Sequence, residues 1–184
     1  TDELIIINTH TDGPNAVEEN GGLALLALAQ YLNRSPPGTI KRSVLFVLTT
    51  GHFARPYVPS IGGFVEAHPD LIERTVAALT IEHLGALTWE SSGGAKHAAP
   101  ADVEIGLAIS GGGALNALFL ESAREEACEP VVAVKPNHIE RFFGEARQLH
   151  QAGAPALGYI PLPEYLLAEA PHGHIDKVDK QRLH

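Results

Sequence analysis

The chain has 184 residues and 45% hydrophobic content, which suits one globular domain with a real core rather than a disordered segment. Thirteen Lys and Arg against 22 Asp and Glu give a formal charge of -9, an unfavourable balance for binding a nucleic-acid backbone or an anionic membrane surface. The only cysteine, Cys128, excludes an internal disulfide, a Cys-X-X-Cys redox motif and a cysteine-based metal cluster.

In chain order, Leu4 to Ile7 is an apolar run that reads as a strand buried on both faces. It breaks into His10, Asp12, Glu18 and Glu19. In open α/β sheets the strand carboxyl ends form the ligand crevice, so His10 and Asp12 are site candidates, with a plain polar turn at Asp12-Gly13 as the structural alternative. Leu23 to Leu32 is rich in helix formers and apolar on nearly every side, which predicts a buried helix. A loop with Ser35-Pro36-Pro37-Gly38 follows, then a second buried strand over 42–50 that ends at Gly51-His52.

Residues 60–74 are helical with a break at Pro69-Asp70, and Val76 to Ile81 is a third apolar strand, ending in Glu82-His83. Three consecutive strands that each deliver a His or acidic residue at the same end favour a functional site over coincidence. Trp89 to Asp102 reads as a polar surface loop with a solvated His97, and 103–109 as a strand. Ser110-Gly111-Gly112-Gly113 then turns into a helix from about Ala114 to Glu126. The triple glycine lacks the Lys-Ser/Thr of a phosphate loop, so it reads as a flexible turn. Val131 to Val134 is a short strand; 142–153 pass from a loop into a helix ended by Gly153, and 154–160 form another strand. Pro171 to Asp179 is a polar turn entering a terminal helix. Strands alternating with helices predict an α/β domain around a mostly parallel sheet.

No apolar run approaches the roughly 20 residues of a membrane helix, so no membrane insertion is expected. A chain that starts at Thr1 and contains no methionine reads as a processed product or an excised piece, with any signal peptide already removed.

Pooled, the strand-end residues are His10, Glu19, His52, Glu82 and either His172 or His174. Nitrogen and oxygen donors without sulfur suit zinc or another borderline divalent ion, and carboxylates can bridge two ions for amide hydrolysis. These residues resemble the co-catalytic zinc aminopeptidases of metallopeptidase family 28, which also has glutaminyl-cyclase-like and carboxypeptidase-like members. His10-Thr11-Asp12 is similar to its first motif, and Glu19-Asn20-Gly21-Gly22 to its second, with Glu for the bridging Asp. Glu82-His83-Leu84-Gly85 is similar to the fourth with the same change, and Gly153-Ala154-Pro155-Ala156 to the late strand entry. The third motif departs: where the family has Glu-Glu, this chain has Gly51-His52. The resemblance implies that the general base is replaced by Gly51 and one ligand by His52, with Glu18 as a conceivable stand-in base.

The resemblance also implies a three-layer α/β/α sandwich, residues 1–184 forming a single domain without the family's first elements. It implies one or two zinc ions, with His10 and Glu82 holding one, His52 and His174 the other, and Glu19 bridging. Asp12 would orient His10. The expected substrate is a peptide or small amide, and a secreted or periplasmic location is favoured. Two outcomes stay open: a hydrolase with an altered metal shell, or an inactive relative used for binding or structure.

Overall fold

The computed structural model describes residues 2–52, 54, 57–92, 95–103, 105–110, 113–128, 130–134, 142, 144–163 and 178. Strand β1 (Leu4–His10) lies between β2 (Ser43–Thr49) and β3 (Thr75–Ile81) and runs parallel to both. β6 (Gly106–Ser110), β7 (Val131–Val134) and β8 (Ala156–Pro161) complete a six-stranded sheet of order β2-β1-β3-β8-β6-β7. All neighbours are parallel except β6 and β8. Helices flank the sheet, giving the expected α/β/α sandwich.

Strand alternation decides which side chains meet which helices. Leu4 and Ile6 of β1 and Ala156 of β8 form a core with Ile61, Ile72 and Leu149 from α3 (Ser60–Ala67), α4 (Pro69–Glu73) and α6 (Ala146–Gln151). Ile6, Ile61 and Leu149 are fully buried, each contributing about 1.5–3 kcal/mol of transfer free energy. On the opposite face, α2 (Gly21–Asn33) starts against Thr9, and Phe119 of α5 (Ala114–Glu125) lies 5.7 Å from the Tyr159 ring of β8. Buried Asn8 ties the three strands together: its amide donates to the Val47 carbonyl at 3.0 Å and its carbonyl accepts from Thr80 Oγ1 at 3.3 Å. That cross-link stands two residues before His10 and sets the register of the rim.

Three expectations fail. The helix over 23–32 is not buried: Leu23, Leu26 and Tyr31 are 74%, 52% and 70% exposed. Its apolar residues encircle the helix while the sheet covers only one side, where Leu25 packs. The strand over 42–50 is likewise not buried on both faces; it is the outermost of the sheet, and Val47 is its only buried residue. Residues 89–92 and 95–102 do not form a loop, because β4 (Leu87–Ser92) and β5 (Ala95–Val103) pair antiparallel. Their polar, small-residue composition hides the strand signal, since strand preference depends on the cross-strand partner more than on the residue itself. Gly111, Gly112 and the expected turn and helix after 171, apart from Val178, lie outside the described residues.

Candidate metal centre

Because β2, β1 and β3 are parallel neighbours, the residues that follow them gather at one rim. His10 closes β1, His52 follows β2, and Glu82 and His83 follow β3. One ligand atom from each of His10, Glu82 and His83 lies within 4.8 Å of the others, all three residues being buried.

His10 Nδ1 donates to the Asp12 backbone carbonyl at 2.9 Å, which leaves Nε2 turned toward Glu82 Oε2 at 3.4 Å. The Asp12 carboxylate stands 4.0 Å from His10 Nδ1 and instead accepts from the His52 backbone N–H at 3.3 Å. Asp12 therefore orients His10 through its main chain. His83 repeats the arrangement: Nδ1 donates to the Pro161 carbonyl at 2.9 Å and Nε2 stands 3.5 Å from Glu18 Oε2. A backbone carbonyl that holds one imidazole nitrogen and aims the other is the usual support of a metal-bound histidine. His83 has a φ of +55°, a left-handed conformation that costs a non-glycine residue about 1–3 kcal/mol. Regular alternation would send Glu82 and His83 to opposite faces; the turn lets both reach the cluster.

Glu18 and Glu19 sit on the one-turn helix α1 (Ala16–Glu19), where the Asn15 side chain caps the Val17 and Glu18 amides at 3.0 and 3.2 Å. Successive helical residues are rotated by about 100°, so only one of the two glutamates can face inward. It is Glu18, 1% exposed, whereas Glu19 points to solvent. Asn20 then clamps this turn to the loop after β3, donating to the Leu84 carbonyl at 2.6 Å and accepting from the Leu84 N–H at 2.9 Å. His174 and His172 lie outside the described residues.

The donor set fits a divalent ion. Glu18 Oε1, Glu82 Oε2 and His83 Nε2 are buried with no hydrogen-bond partner among the described residues, a costly condition for carboxylates. The 3.4 and 3.5 Å separations are longer than good N–H···O bonds. They match the spacing of about 3.3 Å between donors held about 2.0–2.1 Å from one tetrahedral ion. Two imidazoles and one carboxylate, from His10, His83 and Glu82, form a borderline N/O set suited to zinc, with Glu18 beside His83. Burial opposes charge at Glu82, but contact with His10 and the positive charges of His83 and His10 outweigh it and hold the carboxyl below its ordinary range. Burial likewise opposes charge at His10, and contact with Glu82 outweighs it and raises the imidazole pKa.

Beside this cluster stands a carboxylate that sequence reasoning missed. Glu145 is fully buried at the start of α6; its oxygens accept from His52 Nδ1 at 2.8 Å, Thr49 Oγ1 at 3.1 Å and Ser60 Oγ at 3.2 Å. Its backbone N–H donates to Glu82 Oε1 at 3.0 Å. His52 thus faces Glu145 while its ring stacks on His10, centroids 4.4 Å apart and planes 13° from parallel. His83 was missed as well, although its place next to Glu82 was a visible signal; Glu145 carried none, since it lies 63 residues from Glu82. Gly51 has a φ of +91°, and a Cβ there would run into the Val58 side chain, so no acidic side chain can stand at 51 without displacing the chain.

No family model matches the chain, and no curated protein does. Solved structures do. The LapA aminopeptidase of Legionella pneumophila superposes with a TM-score of 0.72 at 12% identity, covering 98% of this chain and 47% of that one. BSAP, a zinc aminopeptidase from Bacillus subtilis, gives 0.67 at 12% identity over 98% and 43%. A Porphyromonas gingivalis glutaminyl cyclase gives 0.62 at 13% identity over 99% and 67%. The likeness is one of fold, and the chain spans less than half the length of these aminopeptidases.

Proposed function

We propose that this chain is a metal-dependent hydrolase domain acting on an amide bond of a peptide or small amide. Zinc would be held by His10, Glu82 and His83, with Glu18 beside His83. The observation that carries this reading is that one ligand atom from each of His10, Glu82 and His83 lies within 4.8 Å of the others, with Glu82 Oε2 and His83 Nε2 buried and lacking a hydrogen bond among the described residues. The zinc aminopeptidases and glutaminyl cyclase of like fold support it. In this reading Glu18, rather than Glu19, is the carboxylate of the first helical turn that faces the centre, where it stands against His83. His52, held by Glu145, is not counted among the ligands. When bound, such an ion polarises a carbonyl and lowers the pKa of water, which is the chemistry amide hydrolysis needs. The chain's own contribution is to aim two imidazoles through the Asp12 and Pro161 carbonyls and to keep the donors out of bulk water.

Elemental analysis of protein purified without chelator, paired with hydrolysis of a panel of aminoacyl-anilides, tests the proposal. The expected result is near-stoichiometric zinc and turnover that disappears in His10→Ala; metal-free protein that takes up no added zinc overturns it. A second reading, a metal-binding but non-catalytic domain, draws on the glycine at 51, whose backbone leaves no room for a base there. Zinc without turnover on any substrate of the panel would select it.

A further inference from the structure

We infer that α2 carries a self-association surface, on which a second copy of this chain lays its own α2 antiparallel. From Gly21 to Asn33 the helix contains no charged residue, although one side of it stands in solvent. Polar and charged side chains normally cover the solvent side of a helix, and an apolar stripe left open marks a contact surface. With about 100° of rotation per residue, Leu23, Leu26, Ala27 and Tyr31 share that open side. The patch runs on to the edge strand β2, where Leu48 is half exposed and a Cβ on Gly22 would lie 3.7 Å from its Cδ2.

The charges that bracket the stripe identify what covers it. The right-handed helical backbone of Asn20 carries the rotation through from Glu19, and Arg34 caps the other end in the same conformation. The exposed Glu19 and Arg34 therefore fall on the face of Leu23, Leu26 and Gln30. One end of the open face is acidic and the other basic, with only uncharged residues of α2 between them. A second α2 laid antiparallel brings Glu19 of each copy to Arg34 of the other, with the two-fold axis at Leu26 and Ala27, halfway between them. The two helix dipoles then oppose, which also favours this pair. A parallel pair would set Glu19 against Glu19 and Arg34 against Arg34. Glu18 faces the metal centre and Glu19 this surface, so the pairing does not rest on the hydrolase reading.

Sedimentation equilibrium of the full chain over a concentration series tests the inference. The expected species is a dimer of twice 19.6 kDa. A monomer at every concentration overturns the pairing and leaves the stripe to a different partner. Leu26→Lys sets a charge at the centre of the contact from both copies at once. It should raise the dimer dissociation constant by about 100-fold or more, with an unchanged circular dichroism spectrum because the side chain is exposed within one copy. Glu19→Arg and Arg34→Glu should each raise the constant about 10-fold by setting like charges together, and the double variant should return it to near the wild-type value. A dimer that tolerates Leu26→Lys, or a double variant no tighter than either single one, overturns the antiparallel α2 pair.

Discussion

Two groups of buried polar side chains meet at the rim of β1, β2 and β3, and they are built to different rules. Around Glu145, donors and acceptors close on one another at 2.8 to 3.3 Å, as a polar group inside a protein requires. In the other group, the buried Glu82 Oε2 and His83 Nε2 stand 3.4 Å from His10 Nε2 and 3.5 Å from Glu18 Oε2 and lack hydrogen bonds among the described residues. Each group has a glutamate buried to within 1% of full burial. The contrast supports the proposed ion, whose donors would stand at the spacing seen in the second group.

The sharpest way to break this contrast is to remove members of the second group. Glu82→Ala and His83→Ala should each weaken zinc binding by more than the about 10- to 100-fold that an outer-shell partner is worth, as read by competition with a chromogenic chelator. Glu19→Ala should leave affinity unchanged, because its side chain faces solvent. Equal effects at Glu19 and Glu82 would end the assignment of Glu82 as a ligand.

Stripping the ion should destabilise the fold. At free zinc 100-fold above the Kd, binding contributes about 2.7 kcal/mol. At about 2–4 °C per kcal/mol for a chain of this length, chelation should lower the Tm by about 5–11 °C in a thermal melt. An unchanged Tm would mean that the unsatisfied donors are not a metal site.

Gly51→Glu, which restores the carboxylate at the position where the aminopeptidase motif has one, should cost about 1–3 kcal/mol from backbone strain and collision with Val58. Denaturant unfolding checks the loss, and a stable variant with raised turnover would show that the loop can yield. Asn20→Ala cuts both hydrogen bonds between the first helical turn and Leu84. A loss of about 1–3 kcal/mol is expected, with zinc affinity falling less than in Glu82→Ala.

Much of this was legible in the chain itself. β1, β3, β7 and β8 follow from apolar runs, the break between α3 and α4 from Pro69, and the end of α6 from Gly153. The strand ends carrying His10, His52 and Glu82 were visible because each apolar run stops at a ligand-type side chain. What misled was local: adjacent Glu18 and Glu19 are indistinguishable until the one-turn helix and its Asn15 cap assign one to each side. The apolar run in α2 could not show that only one of its sides would be covered.

By itself the sequence determined the fold class and the rim at which His10, His52 and Glu82 stand, because periodicity and residue type are local properties that survive in any parallel α/β packing. Only the tertiary structure decided which donors share a centre. His83 joins Glu82 through a left-handed turn, and Glu145 reaches His52 from a segment 93 residues away in the chain. Distances of that kind are set by how helices pack against the sheet, and no spacing in the sequence records them.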